Sequence, residues 1–223
     1  MTTKAEVRKL VKPLLEKNSD IILIDRSMHI IPIRHVDRGI TIGRLSRNYQ
    51  FRPSCFFYPM FAPRQIVPIN YFQEIKPVPA GTWDMRTDHI QAHLKERVEK
   101  VGLSTVRRVE TIDDFCNLDL PKTFMFQDWR EDFKLKPFID AARGDFDQSA
   151  DLCVRIIAHE KSWRAAGSGD LFDVLAKVLY PLVADRDVKG LAAQLHTWEA
   201  CSAHDSGVDQ YWQPTPFPFE EEQ

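Results

Sequence analysis

Between Phe51 and Phe61 the chain reads FRPSCFFYPMF. Side chains alternate between the two faces of an extended strand, so Cys55, Phe57 and Phe61 point one way and Phe56, Tyr58 and Met60 the other. A strand that is apolar on both faces must be covered on both, or must offer one face as a contact surface. This predicts a sandwiched sheet. An N-terminal helix is expected on one face; C-terminal helices, an aromatic tail or a second molecule would take the other. Pro32 and Pro59 each remove a ladder donor, which predicts edge positions or bulges for their strands.

The flanking sequence supplies those elements. Val7, Leu10, Val11, Leu14 and Leu15 recur at helical spacing, with Lys4, Lys9, Lys12 and Lys17 left for the wet side. After residue 20 the pattern turns β-branched in DIILID and HIIPIRHV and alternating in GITIGRL, and Asp37 and Gly39 suit a tight reversal between the last two. Proline-rich VPINYFQEIKPVPAGTW reads as irregular backbone pinned by Tyr71, Phe72 and Trp83. Helices dominate from about Met85. Thr111 and Asp114 form a capping-box pair, Gly144 and Asp145 divide helices over 128–143 and 146–163, and Gly167–Gly169 break the chain again. Leu171, Val174, Leu175, Val178, Leu179 and Leu182 form a further apolar stripe, followed by Leu191, Leu195 and Trp198.

The expected architecture is α+β: an N-terminal helix with a small antiparallel sheet, followed by a mainly helical half. The expected organisation is a helix and sheet region over 1–84, a helical region over 85–204 packed on it, and a Pro-rich, aromatic, acidic tail over 205–223. The helical pair around AARGDFDQSADL resembles a tetratricopeptide unit, but no second copy is visible at a fixed period, so a repeat array is rejected.

Composition narrows the class. The 223 residues are 43% hydrophobic and 28% charged, as in a globular protein with a full core. Ile21–Ile24 is the longest aliphatic run, far short of the roughly 20 residues needed to cross a bilayer, and MTTKAEVRK has no apolar signal stretch. Both features predict a cytoplasmic protein without membrane partners. Cys55, Cys116, Cys153 and Cys201 have no CxxC spacing and are expected as reduced, mostly buried thiols. The net charge of −2 conceals an asymmetry: residues 1–111 hold 19 Lys and Arg against 11 Asp and Glu, and residues 112–223 hold 11 against 21. A basic face for an external acid, or two halves that attract each other, would both produce it.

The stretch PIRHVDRGITIGRLSRNYQFRPSCFFYPMFAP, with TWD at Thr82–Asp84 and ETIDDF at Glu110–Phe115, resembles a group of bacterial hypothetical proteins, a domain of unknown function, that share R-H-V-x-R-G, F-R-P and T-x-D-D-F elements. The likeness covers roughly the first 120 residues. It implies a bacterial, cytoplasmic origin and carries over no catalytic residues.

Candidate chemistry gathers on one segment. Arg34, His35, Arg38, Arg44, Arg47 and Arg52 could converge on an anion, because guanidinium forks match carboxylates and phosphates. Strand alternation opposes full convergence, since Arg34 and His35 must diverge. Pairing with Asp25, Asp37 and acidic helices is the competing structural account. Tyr58 and Trp83 join these residues as candidate aromatic contacts. His89 and His93 have the spacing of a metal pair, but they lie outside and at the edge of the stripe formed by Ile90, Leu94, Val98 and Val101, and no zincin glutamate accompanies them. No metal or cofactor is therefore expected. Adjacent Asp113 and Asp114, or Glu131 and Asp132, diverge by about 100° on a helix and make poor catalytic pairs. No GxSxG, HExxH, GxGxxG or phosphate-loop motif is present. Nucleic acid is disfavoured for want of a recognition motif and because the acidic half would repel phosphate.

Three classes of function follow. A non-catalytic protein-interaction protein, regulatory or immunity-like, with a protein partner or a second copy of the chain, comes first. A protein binding a small molecule or anion through the arginines comes second, and would show several guanidinium groups lining one pocket. An enzyme of unrecognised type comes third, and the want of catalytic motifs weighs against it.

Overall fold

The computed structural model of the chain describes residues 3–47, 49–63, 71–118 and 134–221. The expected α+β composition is observed. The chain divides into two compact units. Unit 1 comprises residues 1–58, 70–121 and 210–213, and unit 2 comprises residues 59–69, 122–209 and 214–223.

Unit 1 begins with helix α1 (Lys4–Lys17), closed at its N-terminus by a capping box in which Thr3 and Glu6 satisfy each other's backbone N–H groups. Its stripe of Val7, Leu10, Val11 and Leu14 is buried, as the periodicity requires. The sheet then runs β1 (Ile21–Ile24), β2 (Ser27–Ile30), β3 (Val36–Arg44), β4 (Gln50–Pro59) and β5 (Tyr71–Glu74) in that spatial order, and β6 (Trp83–Asp84) pairs with β4. The pairs β1–β2, β2–β3, β4–β5 and β4–β6 are antiparallel.

The tight reversals fall elsewhere than Asp37 and Gly39. β1 and β2 are joined at Asp25–Arg26, where Asp25 has φ +53°, and after β3 the Gln50 N–H donates to the Arg47 carbonyl at 2.9 Å as β4 begins. Asp37 and Gly39 lie inside β3. Gly39 is needed there for close approach, because a Cβ at this position would collide with the Met28 carbonyl oxygen. The prolines also find other solutions. Pro32 lies in the bend after β2, and Pro59 ends β4. Pro53 sits inside β4, at the point where its partner changes from β6 at Phe51 to β5 at Ser54. Its carbonyl still accepts from Ile75 N–H at 2.9 Å.

Helix α2 (Ile90–Arg97) passes through a π-helical segment, Val98–Leu103, into α3 (Ser104–Val106), and α4 (Ile112–Cys116) follows. The wider π turn shifts the buried stripe from Val101 to Gly102 and Leu103. Gly102 lies so close to the sheet that a Cβ would be 2.7 Å from Cδ1 of both Ile40 and Ile75. Cys55 Sγ donates to the Gly102 carbonyl at 3.8 Å. Phe57 on this face of β4 is buried, and so are Phe56 and Tyr58 on the other, so both faces are covered.

In unit 2, α5 (Lys136–Arg143) ends at Gly144, φ +86°, and pairs with α6 (Phe146–Ile157). Asp145 holds the N-cap position of α6 without a side-chain cap bond and instead meets Arg143 at 3.2 Å. Helices α7 (Glu160–Ala165), α8 (Gly169–Val174), α9 (Tyr180–Ala184) and α10 (Val188–Ser206) follow, with a π segment at Leu175–Leu179. That segment makes Leu171, Leu175, Leu179 and Val183 the buried series, where a regular helix would present Val178 and Leu182. α10 runs two residues into the expected tail and stops at Gly207, φ +66°. Phe217 and Phe219, the latter in α11 (Pro218–Glu221), stack with ring centroids 5.7 Å apart and are buried. Glu131 and Asp132, weighed as an acidic pair in the sequence, lie outside the described residues. Among the described residues no helix is long and apolar enough to cross a membrane.

Candidate functional site

The bend between β2 and β3 is too irregular to complete a ladder, so its backbone groups bond elsewhere. Ile31 N–H donates to the Asp20 carbonyl at 2.9 Å, and Ile33 N–H to the Tyr211 carbonyl at 3.0 Å. Gln213 N–H donates in return to the Ile33 carbonyl at 2.8 Å, so residues 211–213 add a short parallel bridge beside the bend. Two adjoining cavities result, with Asp20, Ile31 and Pro32 common to their walls. The first, about 230 Å³, is also lined by Ile30, Arg34, Arg38, Arg107 and Glu110. The second, about 440 Å³, is also lined by Ser19, Gln210, Tyr211 and Gln213. Together they reach the size of small-molecule sites, typically about 300–1,000 Å³.

Arg107, Asp20 and Glu110 of the first cavity are placed by identifiable local causes. Arg107 follows α3 and grips Asp20 with two parallel bonds, Nε to Oδ2 at 2.9 Å and Nη2 to Oδ1 at 2.8 Å, while Nη2 also reaches Asn18 Oδ1 at 2.8 Å. Its fork is therefore occupied, and it cancels the charge of Asp20. Glu110 is fixed through its backbone, whose N–H donates to Asp114 Oδ2 at 3.0 Å beside the Thr111–Asp114 capping box of α4. That box is the one the sequence predicts.

Arg38 is different. It stands on β3, only 6% exposed, and its Nε has no hydrogen-bond partner. Burial draws its pKa below the ordinary guanidinium value; the Glu110 and Asp37 carboxylates work against that fall, and the Arg34 charge adds to it. A buried guanidinium nitrogen left without an acceptor is destabilising, by about 1–3 kcal/mol for a typical buried donor.

The six basic residues singled out in the sequence are split by the fold. Arg34 and Arg38 share the cavity. His35 is buried with a partner of its own, and it does not line the cavity. Arg44, Arg47 and Arg52 lie at the far end of β3 and its turn, roughly 20 Å along the strand from Arg38. There Arg52 meets Glu74 at 3.8 Å. Asp84, whose pKa is lowered chiefly by its hydrogen bonds from Arg86, also feels the Arg47 charge. Asp37 pairs with His29 at 2.9 Å rather than with an arginine, and Phe56 meets the His29 ring edge-on at 5.2 Å. Tyr58 and Trp83, expected as contact residues, are buried. The Trp83 indole donates to the Ile75 carbonyl at 2.7 Å and packs against Phe51 and His93. His89 takes the N-cap position of α2 at φ +57°. Sequence reasoning missed Asp20, Arg107 and Glu110 because they reach the cavity from separate stretches of chain. The capping box at Thr111 was the available signal for Glu110.

Cys55 and Cys153 are buried, and burial pushes each thiol up to about 12. Comparison with protein-family models, curated proteins and solved structures gave no match. The fold and the cavity define the class: an α+β protein with a guanidinium-lined cleft beside its sheet.

Proposed function

We propose that this protein binds a small anionic molecule in the cleft beside the β2–β3 bend. The observation that carries the reading is the pair of guanidinium groups, the buried Arg38 and the exposed Arg34, that line one cavity whose third arginine is neutralised by Asp20. Arg34 supplies a second guanidinium at the exposed side, and Arg107, held by Asp20, forms a fixed wall. The aromatics of Phe51–Phe61, which with the charge asymmetry motivate a protein-interaction reading, are buried within the protein itself. That ranks the anion reading above it.

Calorimetric titration with inorganic phosphate and with short carboxylates tests this. Saturable binding by at least one of them is expected, with loss of binding in a folded Arg38→Gln variant. Absence of saturable binding at about 10 mM, well above a millimolar dissociation constant, overturns the reading.

A further inference from the structure

Resting on the anion reading, we infer that the ligand is a zwitterion, an α-amino acid with an uncharged polar side chain. The charges of the first cavity are mixed. Arg107 and Asp20 neutralise each other through two short bonds. Arg38, Arg34 and Glu110 remain on the same wall. Glu110 is near enough to oppose the fall in Arg38's pKa, yet Arg38 Nε makes no bond to it. A simple anion seated on Arg38 would meet the like charge of Glu110. A molecule carrying a carboxylate and an ammonium a few ångströms apart places each against its opposite: the carboxylate accepts from Arg38 and Arg34, and the ammonium donates to Glu110.

The second cavity decides the side chain. Asp20, Ile31 and Pro32 line both cavities, and the remaining lining residues of the second are Ser19, Gln210, Tyr211 and Gln213, all polar, with Asp20 already paired. Hydroxyl and carboxamide groups both donate and accept, which suits an uncharged hydrogen-bonding group. A purely apolar side chain would desolvate those groups without replacing their bonds.

The test is calorimetry on the full chain with four probes: L-glutamine, its deamino analogue 4-carbamoylbutanoate, L-leucine and inorganic phosphate. L-Glutamine is expected to bind at least roughly tenfold more tightly than 4-carbamoylbutanoate, as one charge-assisted hydrogen bond warrants. Glu110→Gln, a change at an exposed position, should erase that gap while leaving 4-carbamoylbutanoate bound as well as before or better. Equal affinity of the two probes in the unaltered protein, or a gap that survives Glu110→Gln, overturns the zwitterion. If phosphate or 4-carbamoylbutanoate then still binds in an Arg38-dependent way, the anion reading stands without it. If no probe binds, both fall. Tighter binding of L-leucine than of L-glutamine overturns the assignment of the second cavity.

Discussion

Both units bury bonded pairs, unit 1 in His29 and Asp37 at 2.9 Å, but they differ in what they leave unbonded. In unit 2, His196 is bonded at both ring nitrogens, Nδ1 to Glu199 Oε2 at 3.1 Å and Nε2 to Glu220 Oε2 at 3.2 Å, and Glu220 Oε2 also accepts the Phe217 N–H at 2.7 Å. Buried Asp140 likewise accepts from Lys136 on both oxygens, at 2.9 and 2.8 Å. In unit 1, by contrast, Arg38 Nε, Arg52 Nε and Trp212 Nε1 are buried without hydrogen bonds; so is Glu99 Oε1, although Lys17 stands 2.9 Å from it as a counter-charge. Among the described residues the buried side-chain atoms that lack hydrogen bonds all fall in unit 1. A charge that is fully bonded holds structure. One kept buried and unbonded costs stability, and a ligand is a physical reason to retain it.

The largest effects should therefore carry opposite signs. Glu199 is fully buried against His196, and Glu199→Ala is expected to destabilise the protein by about 3 kcal/mol, because it opens a cavity and leaves the imidazole without its buried counter-charge. Arg38→Leu removes a buried guanidinium whose Nε makes no hydrogen bond, and is expected to stabilise the empty protein by about 1–2 kcal/mol while abolishing anion binding. Urea denaturation of both variants measures the contrast. A destabilising Arg38→Leu would remove it.

The bonded cluster also predicts a pH dependence. The hydrogen bond to Glu199 raises the His196 pKa above its ordinary 6.5; partial burial opposes the rise, while the Glu199 charge and Glu220 add to it. A base with a raised folded-state pKa contributes stability that is complete below its unfolded value and is lost as pH climbs through the folded one. The melting temperature should therefore fall from about pH 6.5 upward, and His196→Gln should flatten that part of the profile. An identical slope in the variant would show that other groups set it.

Local rules were legible in the sequence, and non-local convergence was not. The buried face of α1, the Thr111–Asp114 box and the stop at Gly144 each depend on residues within a turn or two of one another. The two-faced burial of β4 followed from alternation alone. Expectations failed where register shifts or where partners come from afar. Gly39 suggests a turn by composition, but it is required by the Met28 carbonyl on the neighbouring strand. The π segments shifted the two predicted stripes that they interrupt, because periodicity assumes a constant 3.6 residues per turn. At the cleft, Arg34 and Arg38 were visible as a charge cluster, but their companions Asp20, Arg107 and Glu110 arrive by folding.

The smallest expected effect separates that cluster into its two parts. Arg52 has a buried Nε without a hydrogen bond, as Arg38 does, so the orphaned atom alone does not distinguish them. Their surroundings do. The Arg52 side chain is 40% exposed and stands 3.8 Å from Glu74, so water and a counter-charge share its desolvation; Arg38 is 6% exposed on a cavity wall. Arg52→Ala should therefore change stability by no more than about 0.5 kcal/mol, in keeping with exposed ion pairs, and should leave anion affinity unchanged. The same affinity is expected when Arg44 and Arg47 are replaced together with it, since all three lie roughly 20 Å along β3 from Arg38. Lost affinity in the triple variant would mean that the arginines act as one field, steering the anion from a distance, and a salt-dependent association rate would then identify that steering.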